Sequence, residues 1–165
     1  MKLGLNTMVS PTVTCYGDCK IEVGDNSRID HGVILIGNIR IGRNTHIPPY
    51  CILYGKAGIV IGDFVNLGVF TVLHSESESF TGEWLMGPLV PEEFRRPVRA
   101  AIKIEDYATI CSKSTVLPGV TIGRGAILGA HSLARVSIPR FEKWAGSPAK
   151  RIGVLSRRCE DLARA

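Results

Sequence analysis

The chain has 165 residues, 45% of them hydrophobic and 21% charged, which suits one folded domain and excludes a disordered chain. Twenty basic side chains against fifteen acidic ones leave a net charge of +5, which suits a phosphate-bearing ligand and does not call for nucleic acid. No apolar run reaches the roughly 20 residues of a membrane span, and the start at Met1–Asn6 lacks an apolar leader, so a cytoplasmic protein without membrane insertion is expected.

Residues 1–22 fit the pattern that follows only loosely, with Leu5, Pro11 and Gly17 in its register, and read as an N-terminal cap and first coil. Cys15 and Cys19 in this stretch read as two small side chains. Five cysteines without a CxxC pair argue for reduced thiols rather than a disulfide framework.

From Val23 every sixth residue is aliphatic: Val23, Ile29, Leu35, Ile41, Ile47, Leu53. The register slips by two and resumes at Ile61, Leu67 and Leu73, then returns after a gap as Ile104, Ile110, Val116, Ile122 and Leu128, weakening at Ala134. Small or β-branched residues recur four places later, as at Ser27, Thr45, Thr71 and Ser114, and Gly often follows the aliphatic directly. A helix cannot use a period of six, because six residues turn through about 600° and do not return to one face. Two inward positions and a turn describe one flat side of a triangular coil, and three such sides close a coil of about 18 residues. Coils stack at the strand spacing of about 4.8 Å, so Val23 lies under Ile41, Leu35 under Leu53, Ile104 under Ile122 and Ile110 under Leu128. A sandwich of short strands would need alternation of period two and tight hairpin turns, and the chain has neither.

The expected organisation is therefore all-β: a β-helix over 23–138, interrupted by an extruded loop at 74–103, and an exit segment over 139–165. The loop loses all periodicity and carries Pro88, Pro91 and Pro97. Val154 to Ala165 reads as a short helix covering the upper end, where open strand edges need a cap.

The hexads, together with the stretch "LPGVTIG" at 117–123, Pro139 at the end of the last coil and "AGSPAKRI" at 145–152, resemble the hexapeptide-repeat acyltransferases. Within that family the match is to the acetyl-CoA-dependent sugar acetyltransferases. The resemblance covers nearly the whole chain. It implies a left-handed parallel β-helix of about six coils and a homotrimer with active sites in the clefts between neighbours. It also implies acetyl transfer from acetyl-CoA to a hydroxyl or amine of a sugar or sugar nucleotide, in surface-polysaccharide biosynthesis, with no metal.

Residue by residue, the resemblance puts the thioester oxygen on the backbone N–H of Ser112 and the pantetheine arm past Ala130. It puts the coenzyme phosphates near Lys150 and Arg151, with Arg135 beside them. Thr109 stands where the family has a tryptophan, and Arg135-Val136 where it has Thr-Lys. The family's catalytic histidine opens the extruded loop. Counting hexads from Leu67 puts Glu78 at that place, while the nearest histidine is His74, so the two remain alternative bases. An imidazole, half neutral near pH 6.5, suits that task at neutral pH, whereas a carboxylate would need a raised pKa or would hold a substrate ammonium. A zinc hydratase of the gamma carbonic anhydrase type shares the architecture but needs three ligand histidines, two of them close in sequence. The gaps between His31, His46, His74 and His131 do not fit that pattern. The rival from another class is a trimeric scaffold that has lost its base.

Overall fold

The inward aliphatic positions stack, coil on coil, into three columns. A computed structural model describing residues 1–164 gives a parallel β-helix, with a 3-10 turn at Glu92–Phe94 and one α-helix at Arg158–Leu162. The first face stacks Leu3, Val23, Ile41, Ile61, Ile104, Ile122 and Ile138. The second runs from Val9 through Ile29, Ile47, Leu67, Ile110 and Leu128 to Trp144. The third carries Cys15, Leu35, Leu53, Leu73, Val116 and Ala134.

The first coil corrects the sequence reading. Leu3, Val9 and Cys15 hold its register, not Leu5, Pro11 and Gly17, because the pairing shifts at the corner between Tyr16 and Lys20. The third-to-first corner takes up further irregularities: the register shifts again between Gly37 and Ile39, and the long loop leaves at the same corner. An insertion placed at a corner lengthens the coil without disturbing the inward columns, so the core tolerates it.

Two kinds of residue let the coils approach closely. Buried hydroxyls at the second inward position bond across coils: Ser27 Oγ donates to the Gly42 carbonyl at 2.8 Å, Thr45 Oγ1 to Gly62 at 2.9 Å and Ser114 Oγ to Gly129 at 2.8 Å. Glycine follows the aliphatic where the next coil is in contact. A Cβ on Gly68 would collide with the backbone of Ser112, which ties this glycine to the position of that N–H.

The upper end is covered by a hairpin, Glu142–Gly146 with Ala149–Val154, whose Trp144 packs on the last coil. The C-terminal helix is shorter than the sequence suggests, because Val154 still belongs to the hairpin; Ala165 lies outside the described residues. Arg124 Nε holds the helix through Glu160 at 2.6 Å. No helix is long and apolar enough to cross a membrane among the described residues.

The columns predict the stability map. Leu35 is fully buried, so Leu35→Ala lowers the unfolding free energy by about 2–5 kcal/mol. Leu5 is 75% exposed, so Leu5→Ala stays within about 0.5 kcal/mol. Denaturant titration of the two variants checks this, and equal losses would contradict the corrected register.

Candidate active site

The third face ends at the corner where the chain leaves the helix. In the column of residues just after the inward leucines, Ile36 lies under Tyr54 and Tyr54 under His74. The His74 ring tilts against Tyr54, 5.6 Å between centroids, and burial pushes its imidazole below the ordinary value of 6.5. The next residue turns inward: Ser75 is fully buried, donates from Oγ to the Tyr54 carbonyl at 3.0 Å and accepts from the Ala57 N–H at 2.9 Å. Two bonds to the coil below therefore fix the chain directly after His74.

The loop has its own order. Glu76–Ser77 pairs antiparallel with Val98–Arg99, closing the loop at its root. Burial alone would raise the Glu76 carboxyl, but bonds from Arg99 at 2.5 Å and Lys56 at 3.3 Å outweigh it and hold the group below its usual value. Arg95 donates to Glu78 at 2.5 Å and the Gly87 N–H reaches the same oxygen at 3.2 Å. That ion pair comes first among the causes that lower the Glu78 pKa. A carboxylate held ionised in this way is a poor proton acceptor and a good tie for a loop. His74 and Glu78 do share one recess of about 310 Å³, together with Tyr54, Lys56, Glu76 and Leu117. Of the two alternative bases, the geometry favours His74.

Ser112 and Ala130 lie elsewhere, at the corner between the second and third faces. The bonds there are made by their neighbours: Cys111 N–H to the Leu128 carbonyl, Lys113 N–H to Val69 and His131 N–H to Ser112. Among the described residues nothing accepts from the N–H groups of Ser112 and Ala130 themselves. One coil higher, Gly129 meets Trp144 and Ala145, and Ala145 pairs with Lys150 across the terminal hairpin. Ala130 thus lies one step of about 4.8 Å above Ser112, and Lys150 two steps above Gly129 beyond the strand Glu142–Gly146, with small side chains below and a cation at the top. Arg151, opposite Trp144, is tied to Glu142 at 3.1 Å. Arg135 does not join this line: it follows Ala134 on the loop corner, above Leu117 and His74.

The expected site residues therefore form two groups at opposite edges of the third face, roughly 15 Å apart at strand rise. The loop corner has the His74 imidazole and a recess. The other corner has free backbone donors and a cation, suited to a thioester and phosphates.

Sequence reasoning missed a third cluster, on the second face. His46 Nε2 meets Asp30 at 2.8 Å, and Arg28 Nε meets the other oxygen of the same carboxylate at 2.5 Å. Burial would raise Asp30, and the bonds to His46 and Arg28 reverse that and lower it. The signal was the coil offset, which puts His46 directly over Arg28. Among the described residues no three of His, Cys, Asp or Glu converge into a metal-holding group.

Comparison with known proteins agrees with the fold. The bacterial transferase hexapeptide family, described by six repeats, matches residues 20–55. The chain is 30% identical over 163 residues to the dTDP-4-amino-4,6-dideoxy-D-glucose acyltransferase of Escherichia coli, covering 97% of this chain and 85% of the relative. The structure is similar to that of AntD, an N-acyltransferase from Bacillus cereus. A variant of AntD in complex with dTDP-4-amino-4,6-dideoxyglucose and coenzyme A gives a TM-score of 0.94 at 30% identity, covering 99% of this chain and 88% of AntD. AntD with dTDP and 3-hydroxybutyryl-CoA gives 0.93 at 30% identity, over 98% and 86% of the two chains.

Proposed function

The chain belongs to the hexapeptide-repeat sugar acyltransferases, and from that premise we propose that it acylates the amine of a dTDP-linked 4-amino-4,6-dideoxyhexose. The observation that carries the choice of acceptor is the likeness, along nearly the whole chain, to one protein named for that sugar nucleotide and to another, AntD, a variant of which holds it in complex. We take acetyl-CoA as the donor. The setting is the cytoplasm, where sugar nucleotides and acyl-CoA are both available, and the product serves surface-polysaccharide assembly.

The assembly is a homotrimer, and the split site is its reason. One chain holds a base at one edge of a face and the thioester donors at the other. A second copy closes the gap, with His74 of one chain facing Ser112 of the partner subunit across a shared cleft. The phosphates of the coenzyme lie at Lys150 and Arg151, the pantetheine arm runs down past Ala130, and the thioester oxygen meets the Ser112 N–H. The acceptor amine attacks the thioester carbon. Negative charge develops on the oxygen, where a fixed backbone donor stabilises it more than it did in the ground state. The thiolate leaves, and His74, neutral because burial lowers its pKa, takes the amine proton.

Titration calorimetry tests the ligands. Coenzyme A and dTDP each bind at one site per chain, and failure of dTDP to bind contradicts the proposal. Replacing Lys150 and Arg151 by Ala weakens coenzyme A by roughly tenfold or more and dephospho-coenzyme A by much less, since charge-assisted phosphate bonds are what is removed. Equal losses would place the 3′-phosphate elsewhere.

A further inference from the structure

Cys15 and Cys19 take no part in the chemistry above, and the fold brings them together. Cys15 sits in the third column directly under Leu35, but it belongs to the end coil and is exposed where its column mates are sealed. The chain then turns through Gly17, at φ +71°, in the corner where the register shifts, and returns at Cys19. The Cys19 Sγ lies 3.2 Å from the Leu35 carbonyl oxygen, the carbonyl of the residue that pairs with Cys15, and 3.6 Å from that of Tyr16. Both cysteines therefore flank Leu35 at the lower end of the core, against which Cys19 packs, and burial together with the neighbouring Cys19 raises the Cys15 pKa. A Cβ built on Gly17 would meet nothing within 4 Å, so the corner between the thiols has room to adjust. The remaining cysteines lie apart from this corner: Cys51 is sealed in the core with its thiol pushed up to about 11 by burial, and Cys111 and Cys159 lie on an upper coil and the C-terminal helix.

We propose that Cys15 and Cys19 form an intrachain disulfide when the protein meets a small-molecule disulfide such as oxidised glutathione, making the lower end of the β-helix a redox-modifiable site. The Cys19 thiolate attacks one glutathione sulfur, breaking the S–S bond and releasing one glutathione thiolate. The Cys15 thiolate then attacks the Cys19 sulfur of that mixed disulfide and releases the second glutathione. Two protein thiols are oxidised and one glutathione disulfide is reduced to two thiols, so atoms and electrons balance. The raised Cys15 pKa slows the second step at neutral pH and quickens it as pH rises.

The tryptic peptide Leu3–Lys20 carries both residues. After treatment of the folded protein with oxidised glutathione and alkylation in denaturant, this peptide is expected unalkylated and lighter by about 2 Da than the reduced form. In Cys15→Ser the resolving thiol is gone, so Cys19 keeps its glutathione and the peptide is heavier by about 305 Da. Alkylation of both cysteines in the treated wild-type chain overturns the proposal. A stable glutathione adduct there, or a link to a second chain, overturns it as well.

Discussion

Replacing His74 by Ala lowers kcat roughly 10²- to 10⁴-fold while leaving acyl-CoA affinity nearly unchanged, the range expected when a positioned base is lost. The imidazole accepts a proton only when neutral, and burial lowers its pKa. The wild-type rate therefore falls as pH drops through a value below 6.5 and is level on the neutral side of it. The variant loses that acid limb, which a damaged fold would not remove selectively. Glu78→Gln keeps most of the rate, because its carboxylate is committed to Arg95 and the Gly87 N–H. A silent His74→Ala beside an inactive Glu78→Gln would return the task to the carboxylate. If both variants are silent while transfer persists, the departing thiolate takes the proton, which an amine acceptor permits and a sugar hydroxyl does not.

Two inactive variants restore each other when mixed, provided that the site is shared between chains. His74→Ala lacks the base; Ala130→Trp fills the path of the pantetheine arm at the other edge of the face. Each trimer alone is inactive. Co-refolded at equal amounts, random mixing pairs an intact His74 with an intact Ala130 corner at about one interface in four, so about a quarter of the wild-type rate returns. A site within one chain would instead be restored in no mixed trimer.

The period of six carried most of the fold into view. Three columns of stacked aliphatics follow from spacing alone, because burying one flat side of a coil leaves no freedom in which residues point inward. The first coil was misread for a local reason: Cys15 stands in the leucine column and a corner shift follows it, so Leu5 mimics the register that Leu3 holds. Glu78 was placed by counting hexads into a segment that has none; the loop is set by Glu76–Arg99 and Glu78–Arg95 pairs between residues far apart in sequence. The Ser112 and Ala130 corner was legible because it lies on regular coils. The separation of Arg135 from Lys150 was not, since it depends on which corner each residue leaves. The Arg28, Asp30 and His46 cluster required the coil offset to be applied to polar residues as well as to the core.

The central claim, acyl transfer to the amine of a dTDP-linked 4-amino sugar, is tested most directly by release of coenzyme A thiol from acetyl-CoA. With dTDP-4-amino-4,6-dideoxyglucose as acceptor, thiol appears at many turnovers per chain and the product carries an N-acetyl group. With the corresponding 4-hydroxy sugar nucleotide, release stays at the hydrolytic background. Background release with both acceptors, in a protein that binds coenzyme A and dTDP, would contradict the account and leave the molecule a scaffold without a reaction.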